Sequence, residues 1–135
     1  MATVFSMIIA GELPAHFVHR DDSCVAFLSI NPITHGHTLV VPVEETDHWL
    51  DLSPSLNAHL MAVAQRIGVA QQQAFDPQRV GLMIAGFEVP HVHVHVLPVN
   101  DLADLSFANA AANPDPADLE AAATAIRVAL AEGPT

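Results

Sequence analysis

The chain predicts an α+β fold, an antiparallel sheet of about five strands carrying one long helix and a C-terminal helix. Three observations lead there. Short apolar runs, CVAFLSI, HTLVVPV and RVGLMIAG, lie between Gly, Pro, Asn and Asp breakers, as strands do. The stretch from Ser53 to Phe75 instead places its apolar residues at helical spacing. Strand and helix segments are segregated and do not alternate regularly, which argues against a parallel sheet.

From the N-terminus, FSMIIAGELP is expected as a short helix ended by Gly11 and Pro14, followed by a strand around His16 to Arg20 and a turn at Asp21-Asp22. CVAFLSI is a strand. NPITHG is a connection punctuated by Asn31-Pro32 and Gly36, and HTLVVPV is a strand whose short link to the previous one favours antiparallel pairing. Ser53 caps the long helix and Pro54 opens it; Leu56, Leu60, Val63, Ile67 and Ala74 then form one buried stripe. After Asp76-Pro77, RVGLMIAG is a strand, and VPHVHVHVLP follows it past a turn at Gly86. Asp115 as cap, Pro116 behind it and the alanine-rich ADLEAAATAIRVALA announce the last helix, which stops at Gly133.

At 135 residues the chain is the size of one compact domain, taken here as residues 1–135 with a change of character near residue 100. No apolar window is long enough to span a bilayer, and MATVFSMIIAGELP lacks the basic start and long apolar centre of a secretory signal, so a cytoplasmic protein is expected. Cys24 is the only cysteine, which excludes an intrachain disulfide framework and any multi-thiolate metal site; its setting in SCVAFL suggests an apolar packing residue. Fifteen acids oppose four arginines and no lysine, giving a net charge of −11, so nucleic acids and acidic membranes are poor partners. A bound phosphate would have to draw on backbone amides and protonated imidazoles.

His91, His93 and His95 occupy every second position of PHVHVHVLP and carry the strongest functional signal. On a strand they share one face, neighbours roughly 6–7 Å apart, while Val92, Val94 and Val96 anchor the other without asking the histidines to pack. Imidazole titrates near neutrality, so a neutral ring can attack, a second can pass a proton and a charged one can hold an anion. Two other readings stay open on this pattern alone: the polar face of a half-exposed strand, and a metal site completed by a further ligand.

The alternating HVHVHVLP strand, together with GHTLVVP, IIAGELPAHFVHRDD, FLSINP and AGFEVP in the same order, closely resembles the histidine triad family over roughly residues 3–100. That resemblance implies nucleotide phosphate chemistry on an AMP-like purine nucleotide, with no cofactor, in a protein that is commonly a homodimer. His93 would be the nucleophile that attacks the α-phosphorus, its Nδ1 hydrogen held by the carbonyl of His91. His95 would face the phosphate oxygens or leaving group, and His37 would support the triad from the neighbouring strand. Amides near Gly86, Glu88 and Val89 would bind phosphate. Ile8, Phe27, Leu28, Ile30 and Leu39 are candidates for the apolar nucleoside cleft, Ile8, Phe27 and Ile30 foremost.

The chain also departs from the family pattern. Thr3-Val4-Phe5-Ser6 stands where many members have a zinc-binding CxxC, so no metal ligands are assigned even with His48 and His91 in matching positions. Ser29 replaces a ribose-binding acid, which shifts ribose recognition toward Ser29 itself or Asn31, while Phe87 and Glu88 replace polar residues before the triad. Val43 and Val99 stand at positions that are usually basic, favouring a small leaving group over a long polyphosphate. The leading expectation is therefore a nucleotide phosphoramidase or hydrolase. The alternatives are a nucleotide-binding regulatory protein with weak or no catalysis, and a divalent-metal module using the imidazole row. His16, His19, His48 and His59 are expected to be surface or local hydrogen-bonding residues, and residues after Asn100 to cover the site, form a dimer contact or lead to the last helix.

Overall fold

The computed structural model describes residues 2–133. Five strands, β1 (Phe17–Arg20), β2 (Cys24–Leu28), β3 (Thr38–Pro42), β4 (Arg79–Met83) and β5 (Val94–Val99), form one sheet. Its order is β1-β2-β3-β5-β4 and every pairing is antiparallel. Helices α1 (Val4–Ile9), α2 (Pro54–Phe75) and α3 (Pro116–Glu132) complete it, so the α+β class and the number of strands agree with expectation.

Strand alternation gives the sheet two different faces. Cys24, Ala26, Val40, Val94 and Val96 pack on Leu60, Val63, Ala64 and Ile67 of α2. Val25, Phe27, Leu39 and Val41 point the other way, onto Phe5 and Ile8 of α1. Ala122, Ala123 and Ile126 of α3 close the first face over Leu28 and Ala70. The expected cap is present: Ser53 Oγ accepts the Leu56 amide at 3.1 Å and Pro54 opens α2. Asp76, in the left-handed conformation with φ 49°, ends it. Near its C-terminal end α2 is pinned to the sheet by the buried Gln71, whose Nε2 donates to the carbonyls of Gly36 at 2.9 Å and Val96 at 3.0 Å.

The structure corrects the extent of the histidine strand. Only His95 lies in β5, because the amide of Val92 donates to Thr46 O at 2.8 Å and that of His91 to Val89 O at 2.8 Å, leaving the ladder to begin at Val94. His91 and His93 form an extended lead-in that keeps the two-residue alternation. His37, expected to open HTLVVPV, likewise precedes β3.

Gly36 holds the turn before β3 with φ +97°, and a Cβ there would lie 2.5 Å from Cε2 of Phe75. Gly36→Ala therefore adds overpacking of about 1–3 kcal/mol to a left-handed strain of about 1–2 kcal/mol. Gly86 has φ +84° but open space around a Cβ, so Gly86→Ala carries the strain alone. Urea unfolding is expected to show the larger loss at Gly36; equal losses would mean that the Phe75 ring moves aside at no cost.

Candidate active site

Four imidazoles gather on the α1 face of the sheet. His37, His91, His93 and His95 are all buried. The His93 and His95 ring centroids are 4.9 Å apart, closer than the strand repeat, because the rings lean together. Contrary to expectation the histidines do pack: Phe5 stands edge-on to His91 at 5.9 Å and His93 at 5.0 Å, and Phe107 covers His95 at 5.0 Å.

Hydrogen bonds to backbone groups of fixed polarity assign the ring protons. The Ile33 amide donates to His37 Nδ1 at 3.0 Å, so that nitrogen is bare and the proton sits on Nε2. His37 Nε2 then donates to His95 Nδ1 at 2.9 Å, which leaves the His95 proton on Nε2, buried and without a partner. His93 Nδ1 donates to the carbonyl of His91 at 2.8 Å, as the resemblance implied, so its Nε2 carries a free lone pair. Both nitrogens of His91 are occupied: Nε2 donates to Pro42 O at 2.8 Å and Nδ1 accepts from Thr3 Oγ1 at 2.7 Å.

Burial keeps two of these rings uncharged. It depresses the pKa of His37 to about 4 and that of His95 to about 3, with the neighbouring imidazoles adding to the effect. The free site therefore offers phosphate a neutral Nε2–H at His95, where the sequence suggested a charged imidazole.

A cleft of about 460 Å³ opens beside His37 and His95, and Ile8, Phe27, Leu28, Ser29, Ile30, Asn31, Leu39, Glu88 and Val89 all line it. Gly86 does not; it lines a separate cavity of about 250 Å³ with His93, Asp47, His48, Trp49 and Phe87. Asn31 is partly committed elsewhere, since its Nδ2 donates to Ala111 O at 2.9 Å and Ala112 O at 3.2 Å.

The family model described as the HIT domain matches residues 10–102. The chain belongs to the histidine triad family. An uncharacterized HIT-like protein of Mycobacterium tuberculosis is 38% identical over 137 residues, covering 98% of this chain and 95% of its own. The crystal structure of a zinc-bound histidine triad family protein from Mycobacterium smegmatis superposes with a TM-score of 0.83 at 33% identity, covering 98% and 95% of the two chains. An adenylylsulfatase of Arabidopsis thaliana is 31% identical over 100 residues, 70% of this chain and 51% of that protein.

The CxxC zinc ligands of the histidine triad pattern have no counterpart here, and the residues present do not fit an ion. Thr3 Oγ1 accepts the Ser6 amide at 3.0 Å and serves His91, Ser6 Oγ donates to Glu45 at 2.7 Å, and His48 Nδ1 accepts the Leu50 amide at 3.2 Å. A hydrogen-bonded network thus holds His91 in place. Sequence reasoning missed Val4, Phe5, Pro14 and Ala15 on the cleft wall. Of the roles expected for residues after Asn100, Phe107 and Ala110–Ala112 form a strap that covers the cleft, and the segment then leads to α3.

The depressed histidines make stability pH-dependent. Both rings are neutral when folded but take up protons near pH 6.5 when unfolded, so their contribution is complete above that pH. It is lost as pH falls toward about 4 for His37 and about 3 for His95. Urea unfolding between pH 6.5 and 5, where carboxylates stay ionised, should show a loss of up to about 1.4 kcal/mol per pH unit for each ring. In His95→Gln the slope should fall to about half, and a flat profile in the wild type would mean that the rings charge while folded.

Proposed function

We propose that this histidine triad protein hydrolyses purine nucleotide conjugates at the α-phosphate through a covalent nucleotidyl-histidine, with nucleoside phosphoramidates as the substrate class. One observation carries the reading: the Ile33–His37–His95 chain leaves a buried Nε2–H without a partner beside His93, whose Nε2 lone pair is free. His93 Nε2 attacks the α-phosphorus, a nitrogen–phosphorus bond forms, and the bond to the leaving amine breaks. His95 donates Nε2–H as a hydrogen bond to a phosphoryl oxygen and keeps that proton; a nitrogen that binds already protonated leaves as the neutral amine, and water then attacks the phosphorus and frees His93, its protons leaving on the phosphate product. Because His95 Nδ1 accepts from His37, the ring has no second proton to give, so the proton that the leaving nitrogen needs enters with the substrate. His91 acts through its carbonyl as a positioning residue, and His37 sets the tautomer of His95.

The nucleoside rests on Ile8, Phe27 and Ile30, its ribose near Ser29 and Asn31, with Glu88 and Val89 at the phosphate end and Gly86 shaping the turn on the His93 side. The adenylylsulfatase relative supports a nucleotide substrate. The second reading, a nucleotide-binding protein with weak catalysis, is favoured by Glu88 on the rim and by the absence of Lys and Arg from the residues that line the cleft. We extend the proposal to a homodimer, supported by the unpaired edge of β4, where Leu82 is exposed beside Met61 and Val69 of α2. We place it in the cytoplasm, supported by the free Cys24 thiol and by the lack, among the described residues, of a helix long and apolar enough to cross a membrane.

Intact-protein mass spectrometry during turnover of adenosine 5′-phosphoramidate should show AMP release with a transient nucleotidyl adduct, both abolished in His93→Ala. His95→Gln should keep the nucleophile but slow turnover by about 10²–10³. AMP binding with neither adduct nor AMP release would replace the hydrolase with the binding reading.

A further inference from the structure

On the opposite face of the sheet a second cluster converges on one carboxylate oxygen. His19 Nε2 of β1 lies 2.7 Å from Asp21 Oδ2, His59 Nε2 of α2 lies 2.8 Å from the same atom, and Cys24 Sγ at the start of β2 lies 3.7 Å from it. The ligand atoms of His19, Asp21 and Cys24 all fall within 4.8 Å of one another. We propose that His19, Asp21 and Cys24 form the core of a site for one zinc-class divalent ion, which draws in His59, outside that 4.8 Å group, as its fourth ligand and so joins the β1–β2 turn to α2.

The donor set selects the ion. Two imidazoles, a thiolate and a carboxylate suit a borderline-soft metal such as zinc, and not magnesium or calcium, which take oxygen ligands. Zinc bonds of about 2.0–2.3 Å arranged as a tetrahedron separate the ligand atoms by roughly 3.3–3.8 Å. The sulfur-to-carboxylate spacing already matches. The two nitrogen-to-oxygen contacts need to open by roughly half an ångström, the change expected when each imidazole presents a bare Nε2 to an ion in place of an N–H to the carboxylate.

The site is also held in advance. Asp21 Oδ1 accepts the amides of Ser23 at 2.7 Å and Cys24 at 2.8 Å, which fixes the carboxylate and aims Oδ2 at the histidines. Cys24 is fully buried among Leu52, Leu60 and Val63, so its thiol cannot wander from the cluster. A bound ion would displace the thiol proton. Access comes from the His59 side, where the side chains of His59 and Asp21 are 41% and 29% exposed. Without an ion, Asp21 Oδ2 accepts from His19, His59 and the Cys24 thiol; an ion would replace all three donors at one point. The proposal is independent of the triad chemistry, since no residue is shared.

Cobalt titration of chelator-treated protein tests it. One equivalent of Co²⁺ should give tetrahedral visible bands and a near-ultraviolet thiolate charge-transfer band. Cys24→Ser should lose the charge-transfer band, His59→Ala should bind at least about tenfold more weakly, and His93→Ala should titrate like wild type. His59 lies on a helix surface where alanine is a good helix former, so this variant reports even if Cys24→Ser fails to fold. Zn²⁺ should raise the melting temperature of the wild type more than that of His59→Ala. A wild type without the thiolate band, a Cys24→Ser or His59→Ala protein that binds like wild type, or loss of binding in His93→Ala would each overturn the site.

Discussion

The chemistry available on the α1 face depends on one hydrogen bond that involves no catalytic atom, the Ile33 amide donating to His37 Nδ1. A backbone N–H can only donate, so it fixes one tautomer, and each later proton position follows from it. His37 must carry its proton on Nε2, His95 must accept at Nδ1, and the proton of His95 must face the cleft. The Ile33 amide is positioned by the turn that Gly36 permits, and Gln71 ties that turn to α2 through the Gly36 carbonyl. A helix on one face of the sheet thereby helps decide which proton is offered on the other.

Burying four imidazoles is costly unless their polar atoms are satisfied, and the fold satisfies them with groups it cannot change. His91 is held by a carbonyl and a hydroxyl, His93 by a carbonyl, and His37 by an amide and a ring. The exception, His95 Nε2, is the atom aimed at the place a phosphoryl oxygen would occupy in the proposed reaction. An unpaired buried donor costs stability in the free protein and is satisfied when a ligand arrives. The valines on the other side make this affordable, because Val92, Val94 and Val96 contribute apolar burial against α2 from the same eight-residue stretch.

Local pattern made most of the fold legible. The caps at Ser53 and Asp115, the stripe of α2 and the two-residue alternation of the histidine segment depend on neighbours in sequence, and each appears in the structure. The family signature likewise brought Ile8, Phe27, Ser29, Ile30 and Val89 to one cleft. What escaped depends on distant partners. The start of β5 is set by Thr46, the locking of His91 by Thr3, and the anchor of the covering segment by Asn31, which grips residues some eighty positions away. The neutral state of His37 and His95 in the free protein was hidden for the same reason, since the depth of burial that discharges them is a tertiary property.

Charge sets the remaining constraint. The protein carries a net charge of −11, and its cleft is lined by no Lys or Arg but by Glu88. A nucleotide anion approaching it meets repulsion at long range and must be held at short range by a neutral imidazole N–H, backbone amides and apolar walls. Such a site penalises every additional phosphate, because each adds negative charge without meeting a cation. It tolerates a leaving group that is neutral or becomes cationic, and an amine does so on taking up a proton. The missing basic residues and the neutral state of His95 therefore act together: with no cation and no charged ring to compensate it, each further negative charge on a ligand meets only repulsion.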